Sequence, residues 1–315
     1  MTHDPGFSDD ARDRCRGALL GLACGDALGT TLEFCARDAQ PLHTELLGGG
    51  VFGVEPGEWT DDTAMALCLA ESLLVRRAFD PLDQLDRYGR WLTRGHLSCQ
   101  GRCIDIGNTT LEALRRYRWE GSAQVGGTAP WQSGNGGIMR LAPVVLAAAG
   151  EGDAIALSMA SSRTTHASPD CLDAAALMGA VLWRLLKGMP LPEVLADIPA
   201  VPTRGQAISR IQRGEFRRLS RDAISSSGYV IDTLEAALWC CYHAASPEEA
   251  LVLAANLADD ADTVAAVTGQ LAGAAWGAHR LPTRWRSELA WEGRITDFAD
   301  RLAALSLDAD RLADA

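Results

Sequence analysis

The chain has 315 residues, 47% of them hydrophobic but only 6% aromatic, and a net charge of −12. The core must therefore be filled largely by Ala, Leu, Val and Gly, a helical rather than a β-sandwich palette. The acidic balance argues against sequence-independent nucleic-acid binding, which needs clustered Lys and Arg to displace counterions, and an anionic ligand would need local help.

Residues 12–30 read as a helix in which Gly17, Gly21 and Gly25 recur every four residues, a smooth stripe that lets another helix approach closely. The apolar part, Gly17–Cys24, is too short to span a bilayer, and the acidic segment before it is unlike the start of a signal peptide. A Gly-rich flexible loop through Gly48-Gly49-Gly50 and Gly57 leads to a helix over 60–77 with Thr60 as its N-cap. Asp80-Pro81 opens another helix toward Arg94, and residues 109–119 form the next. The Gly/Pro/Ser-rich stretch 121–137 has the composition of a functional loop. Helices are expected over 138–149, kinked or ended by Pro143, and over 152–163, 171–187 and 191–198.

Residues 199–228 carry six arginines among few apolar positions and read as solvated helix and loop, whereas Ser246-Pro247-Glu248-Glu249 is a capping box that starts a helix to about Leu257. A helix of small residues, 263–278, completes the expected elements. No run alternates with period two, and no repeat is visible. Without a Pro/Ser-rich or charged linker, 1–315 reads as one domain with 1–11 as a flexible tail. Nine cysteines without a regular framework fit a reducing, cytoplasmic compartment. His96, Cys99 and Cys103 lack the second pair of a zinc finger.

Two acidic clusters, Thr60-Asp61-Asp62-Thr63 and Asp259-Asp260-Ala261-Asp262-Thr263, each open a run of apolar and small residues. Two readings fit. They are N-caps complementing helix dipoles, or two halves of a metal site offering the hard oxygen ligands that Mg²⁺, Mn²⁺ or Ca²⁺ prefer. An EF-hand is excluded, since the loop glycine and terminal Glu are missing.

Several motifs in order give the chain a resemblance to the ADP-ribosylglycohydrolase family. They are Gly17–Gly29 with Glu33 after it, Trp59–Thr63, Asp105–Thr110, Gly134–Arg140, Thr165-His166, Gly228-Tyr229 and Asp260–Thr263. The resemblance implies an all-α, compact, orthogonal multi-helix domain with a central dinuclear metal cleft. Two Mg²⁺ or Mn²⁺ ions would be held by Thr60, Asp61, Asp62, Asp260, Asp262 and Thr263. Glu33, on a mobile loop over the cleft, would share acid, base or positioning roles with Asp61, Asp62 or Asp260, as glycosidic cleavage requires.

Gly134, Asn135, Gly136 and Gly137 precede an apolar helix and could cradle a pyrophosphate, although a Gly-rich turn is also simply a turn. The resemblance places His166 near the distal ribose and Asp105 and Asn108 in the cleft, and Tyr229 could stack on adenine or serve as a core aromatic. The family commonly has Gly-Gly where this chain has Ala258-Asp259, and an extra carboxylate there is expected to face solvent. The implied activity is hydrolytic removal of ADP-ribose, first from ADP-ribosyl-arginine, by a monomer acting on an ADP-ribosylated protein or ADP-ribose conjugate, with no nucleic-acid or membrane partner. Serine-linked or small-molecule conjugates, another nucleotide and a non-catalytic, crystallin-like role are the alternatives.

Overall fold

The computed structural model describes residues 8–305. Its helices are α1 (Asp9–Gly29), α2 (Asp61–Arg76), α3 (Pro81–Arg94), α4 (Asn108–Glu120), α5 (Gly136–Met139), α6 (Ala142–Ala147), α7 (Glu151–Arg163) and α8 (Pro169–Leu186). They continue as α9 (Leu191–Ala196), α10 (Ser209–Gln212), α11 (Val230–His243), α12 (Pro247–Ala255), α13 (Ala261–Trp276), α14 (Thr283–Glu288) and α15 (Glu292–Ala303). Strand pairing among the described residues is confined to isolated bridges, so the fold is all-α. Helix α1 begins at Asp9, capped by Ser8, and so takes in residues 9–11 of the expected tail; residues 1–7 lie outside the described residues. Helices α14 and α15 lie beyond the elements expected from the sequence.

The glycine stripe of α1 packs on α13. A Cβ at Gly17 would sit 2.1 Å from the Gly273 carbonyl oxygen, one at Gly21 2.1 Å from that of Gly269, and one at Gly25 2.1 Å from that of Ala265. A Cβ at Gly29 would meet the Ala261 oxygen at 2.4 Å. The partner number falls as the glycine number rises, so the helices run antiparallel with backbones in contact. A mid-helix glycine costs about 0.5–1 kcal/mol relative to Ala, and this close approach is what offsets it. The consequence is positional: the chain leaving α1 emerges beside the start of α13.

Other elements fix what surrounds that meeting point. The expected helix over 138–149 is two pieces, and the break precedes Pro143, which sits in the first turn of α6 where its missing N–H is harmless. Gln270 of α13 satisfies the break, accepting from the Ala142 N–H at 2.8 Å and donating to the Ile138 and Met139 carbonyls at 3.1 and 2.7 Å. Trp59, just before the first acidic cluster, is fully buried and packs edge-on against Trp291, with its Nε1 donating to the Ala290 carbonyl at 3.0 Å.

Residues 199–228 differ from the solvated stretch expected. Their apolar side chains Ile208, Ile211, Phe216 and Ile224 are buried, and several arginines tie the segment down. Arg204 pairs with Asp173, Arg210 with Asp232 and Glu235, and Arg217 donates to the Leu195 and Ala196 carbonyls. The segment's backbone is satisfied by short turns together with side-chain bonds such as those from Arg37 to the Arg221 and Ile224 carbonyls.

Two glycine-to-alanine substitutions inside helices should shift stability in opposite directions. Gly21→Ala forces a methyl into the Gly269 carbonyl and should cost about 1–3 kcal/mol or more. Gly89→Ala, within α3 with nothing within 4 Å of the new carbon, should gain about 0.5–1 kcal/mol. Urea denaturation of the two variants checks both signs.

Candidate active site

The start of α2 is capped from another helix. Asp26 of α1 accepts from the Thr60 N–H (2.9 Å) and hydroxyl (2.8 Å) with Oδ1, and from the Thr63 N–H (3.0 Å) and hydroxyl (2.6 Å) with Oδ2. Thr60 occupies the N-cap position but makes no side-chain cap bond, contrary to its expected role. Asp260 stands at the N-cap of α13 and likewise makes none. Neither N-cap side chain caps its own helix, although Asp61, Asp62 and Asp262 stand in the first turns and Asp262 Oδ1 accepts from the Thr263 N–H at 2.8 Å. Asp26 is one residue that sequence reasoning missed; its position in the Gly25-Asp26-Ala27 run of the glycine-striped helix was the available signal.

The clusters meet face to face. Thr60 Oγ1 is 3.5 Å from Asp262 Oδ2, and Thr263 Oγ1 is 3.4 Å from Asp62 Oδ1. Carboxylate oxygens of Asp26, Asp62 and Asp262 lie within 4.8 Å of one another, as do those of Glu33, Asp105 and Asp262. Asp262 belongs to both groups. Asp26 already accepts four hydrogen bonds and so holds the threonines, whereas Asp62 keeps one oxygen without a partner and Asp262 Oδ1 accepts from the Thr263 N–H at 2.8 Å. Asp62 Oδ2 and Glu33 Oε2 are buried without a hydrogen-bond partner. His96, Cys99 and Cys103 do not gather: His96 bonds Glu71, Cys99 the Trp59 carbonyl and Cys103 the Asp105 carbonyl.

Glu33 arrives through the α1–α13 contact and is only 3% exposed. The chain after it is tied down: the Phe34 N–H donates to the Asp259 carbonyl at 2.7 Å, and the Asp259 N–H donates to the Cys35 carbonyl at 3.0 Å. Arg37 adds bonds to the Leu257, Arg221 and Ile224 carbonyls. Asp259 itself is exposed, and its contribution is made by the backbone. Ala258 and Asp259 adopt left-handed φ values of 60° and 62°, conformations that glycine takes without strain.

Above the acids opens a cleft of about 640 Å³. It is lined by Glu33, Asp61, Asp105, Asn108, Gly134, Asn135, Gly136, His166, Tyr229, Asp260 and Thr263 of the expected residues. Thr60, Asp62 and Asp262 lie beneath this lining, and Gly137 packs away from it, where a Cβ would meet Ser162 Oγ at 2.2 Å. Asn135 anchors the far wall, donating from Nδ2 to Asp260 Oδ2 (2.7 Å) and Thr233 Oγ1 (2.9 Å). Its own N–H is taken by the Gly228 carbonyl at 3.1 Å, which narrows the expected backbone cradle for a phosphate. Tyr229 donates its hydroxyl to Asp170 at 2.7 Å, leaving its ring as cleft wall. Phe34 and Trp131, 66% and 86% exposed, also line the cleft and were not expected.

The electrostatics are those of a crowded anionic cage. Burial, and then the charges of neighbouring acids, push Asp61, Asp62 and Asp262 well above the usual carboxylate range. Burial raises Asp26 and Asp260 against the hydrogen bonds that pull them back. Glu33 is pushed up to about 9 by burial, then by Asp105 and Asp260, and Asp105 is raised by burial to about 6. His166 is driven down to about 3 by burial and by the charge of Arg140. So many buried acids are stable only when protonated or matched by cations. The donors are oxygens alone, suited to hard divalent ions.

The all-helical fold carries a cleft floored by carboxylates that could hold metal ions, and the comparisons give the chain a family. The ADP-ribosylglycohydrolase family model matches residues 8–311, and the chain belongs to that family. It is 43% identical over 305 residues to an ADP-ribosylarginine hydrolase Tri1 of Pseudomonas putida, covering 96% of this chain and 81% of the relative. It is 34% identical to the ADP-ribosyl-[dinitrogen reductase] glycohydrolase of Rhodospirillum rubrum, covering 93% and 97% of the two chains. A solved structure titled ADP-ribosylglycohydrolase-related protein complex superposes with a TM-score of 0.83 at 40% identity, covering 95% of this chain and 100% of the other.

The raised carboxyls make stability depend on pH. A carboxyl whose pKa is raised in the fold contributes stability that is complete below its unfolded value and is lost as pH rises through its folded value. For Glu33 that window runs from 4.5 to about 9. In chelator, Tm should fall across this window. Added Mg²⁺ should raise Tm more at its alkaline end than at its acid end. Thermal denaturation at several pH values, with and without Mg²⁺, measures both effects.

Proposed function

We infer that the protein is an ADP-ribosylglycohydrolase that removes ADP-ribose from arginine side chains of modified proteins. The observation that carries the reading is the convergence of Glu33, Asp61, Asp62, Asp105, Asp260 and Asp262 from separate segments beneath one cleft, in a chain of this family. The relative named ADP-ribosylarginine hydrolase supports the linkage, and the one named for dinitrogen reductase supports a protein conjugate. The intact acidic set favours catalysis over a crystallin-like role. No helix among the described residues is long and apolar enough to cross a membrane. We take the chain to act as a single domain and a monomer in the cytoplasm, without nucleic acid.

Thr60, Asp61, Asp62, Asp260, Asp262 and Thr263 are our candidates to hold two Mg²⁺ or Mn²⁺ ions, and Asp262 belongs to both carboxylate groups. Bound there, such ions would supply Lewis-acid stabilisation and lower the pKa of water. Asp26 holds Thr60 and Thr63 at the start of α2 and so sets the direction of Asp61 and Asp62. Glu33 and one of Asp61, Asp62 and Asp260 divide the proton-donor and base roles at the glycosidic bond. Asp105, assigned to the cleft wall by the resemblance, stands close enough to Glu33 to tune its proton affinity. Asn108, Gly134, Asn135, Gly136, His166 and Tyr229 form the wall that would receive the ADP-ribose unit, with Gly137 behind it.

Release of ADP-ribose from arginine-linked and serine-linked peptides under identical Mg²⁺ conditions tests the assignment. The arginine linkage should be cleaved faster; a preference for serine would overturn it. Asp61→Ala and Asp262→Ala should abolish turnover while keeping helicity. Glu33→Gln should lower kcat by about 10²-fold or more with ADP-ribose affinity near wild type.

A further inference from the structure

Arg140 is a cation with 0% exposure whose contacts include no carboxylate. Nη2 donates to Thr165 Oγ1 at 2.5 Å, Nη1 reaches Met65 Sδ at 3.9 Å, and the guanidinium lies 4.8 Å from the centre of the Tyr88 ring. Its Nε has no partner. Burying a charge with no ionised group in contact is costly, and Tyr88 and the Asp61 carboxylate, the latter beyond ion-pair distance, offset the burial only in part. Arg140 does not line the cleft, but its hydrogen bond to Thr165 leads there: Thr165 Oγ1 is 2.8 Å from Nδ1 of His166, which does.

The protons along this path can be placed. A guanidinium only donates, so the Thr165 oxygen accepts from Arg140. The hydroxyl proton of this fully buried threonine then goes to Nδ1. The reverse assignment, an Nδ1–H directed at Thr165, would leave that hydroxyl proton without an acceptor among its contacts. Nδ1 is thus the acceptor, and in a neutral ring the proton resides on Nε2. That edge lies against the cleft backbone: a Cβ at Gly134 would be 3.3 Å from Nε2 and one at Gly136 3.0 Å from it, so glycine at both positions admits the ring.

We propose that Arg140 is a positioning residue that acts through Thr165 to hold His166 as a neutral, Nε2-protonated hydrogen-bond donor facing the cleft, where it meets an acceptor oxygen of the ligand. The identity of that ligand as ADP-ribose rests on the function inferred above. The tautomer does not.

The test combines ¹⁵N NMR of histidine-labelled, Mg²⁺-loaded protein with calorimetric titration of ADP-ribose. The His166 signals, one set among six histidines, are assigned by their loss in His166→Gln. Wild type should show the Nε2–H tautomer. Thr165→Val and Arg140→Met should populate the Nδ1–H tautomer and weaken ADP-ribose binding by about tenfold, the scale of one lost hydrogen bond. Arg140→Lys should restore most of both. If Arg140→Met does not fold, Thr165→Val, which leaves the cation in place, carries the test. An unchanged tautomer in Thr165→Val, or a changed tautomer with unchanged affinity, overturns the relay. Failure of wild type to bind ADP-ribose would instead overturn the ligand assignment, with the spectra still deciding the tautomer.

Discussion

The backbone-to-backbone contact between α1 and α13 is the constraint from which the site follows. Removing the side chain at Gly17, Gly21, Gly25, Gly269 and Gly273 lets the two helices meet at carbonyl distance, and their antiparallel register brings Gly29 beside Ala261. Glu33 therefore enters the same small volume as Asp260 and Asp262, although more than two hundred residues separate them in the chain. Asp26, one turn before the end of α1, extends the arrangement to α2 by taking over its N-cap.

Placing helix starts here is also electrostatically sensible. The positive ends of α2 and α13 favour nearby carboxylates, but the benefit of a helix terminus is about 0.3–1 kcal/mol. That is small beside the cost of several buried charges. The direction of every resolved shift in the cluster shows the imbalance, since burial dominates each one. The surrounding core, one continuous cluster from Cys15 to Ala303, must supply the stability that this cage withholds in the absence of cations.

Backbone strain gathers at the same place. Of eight non-glycine residues with left-handed φ among the described residues, four adjoin the acids: Phe34, Asp105, Ala258 and Asp259. Phe34 is the most notable, since a bulky residue seldom adopts φ of 59°. Its N–H bond to Asp259 and the Arg37 bonds to neighbouring carbonyls over-determine the local path, the condition under which strain persists at functional sites. The segment carrying Glu33 is thus anchored at its C-terminal side, which refines the image of a loop suspended over the cleft.

Much of the fold was legible before any coordinates. The apolar periodicity and caps located α2, α3, α4, α7, α8, α12 and α13 to within a few residues, because those signals are local. The repeated Asp and Thr of the two clusters marked the floor of the site, and the motif order carried the family. Sequence alone could not tell whether those side chains would cap their own helices, since Thr60 and Asp260 occupy genuine N-cap positions. Only tertiary packing decided that, by bringing Asp26 across to do the capping. It likewise set Asp105 beside Glu33, moved Gly137 behind the wall, turned the arginines of 199–228 into clamps and linked buried Arg140 to His166 through Thr165. The physical reason is common to all: local pattern specifies which residues form an element and which face is apolar, whereas hydrogen-bond partners and buried charges are chosen between segments distant in the chain, after the helices have met.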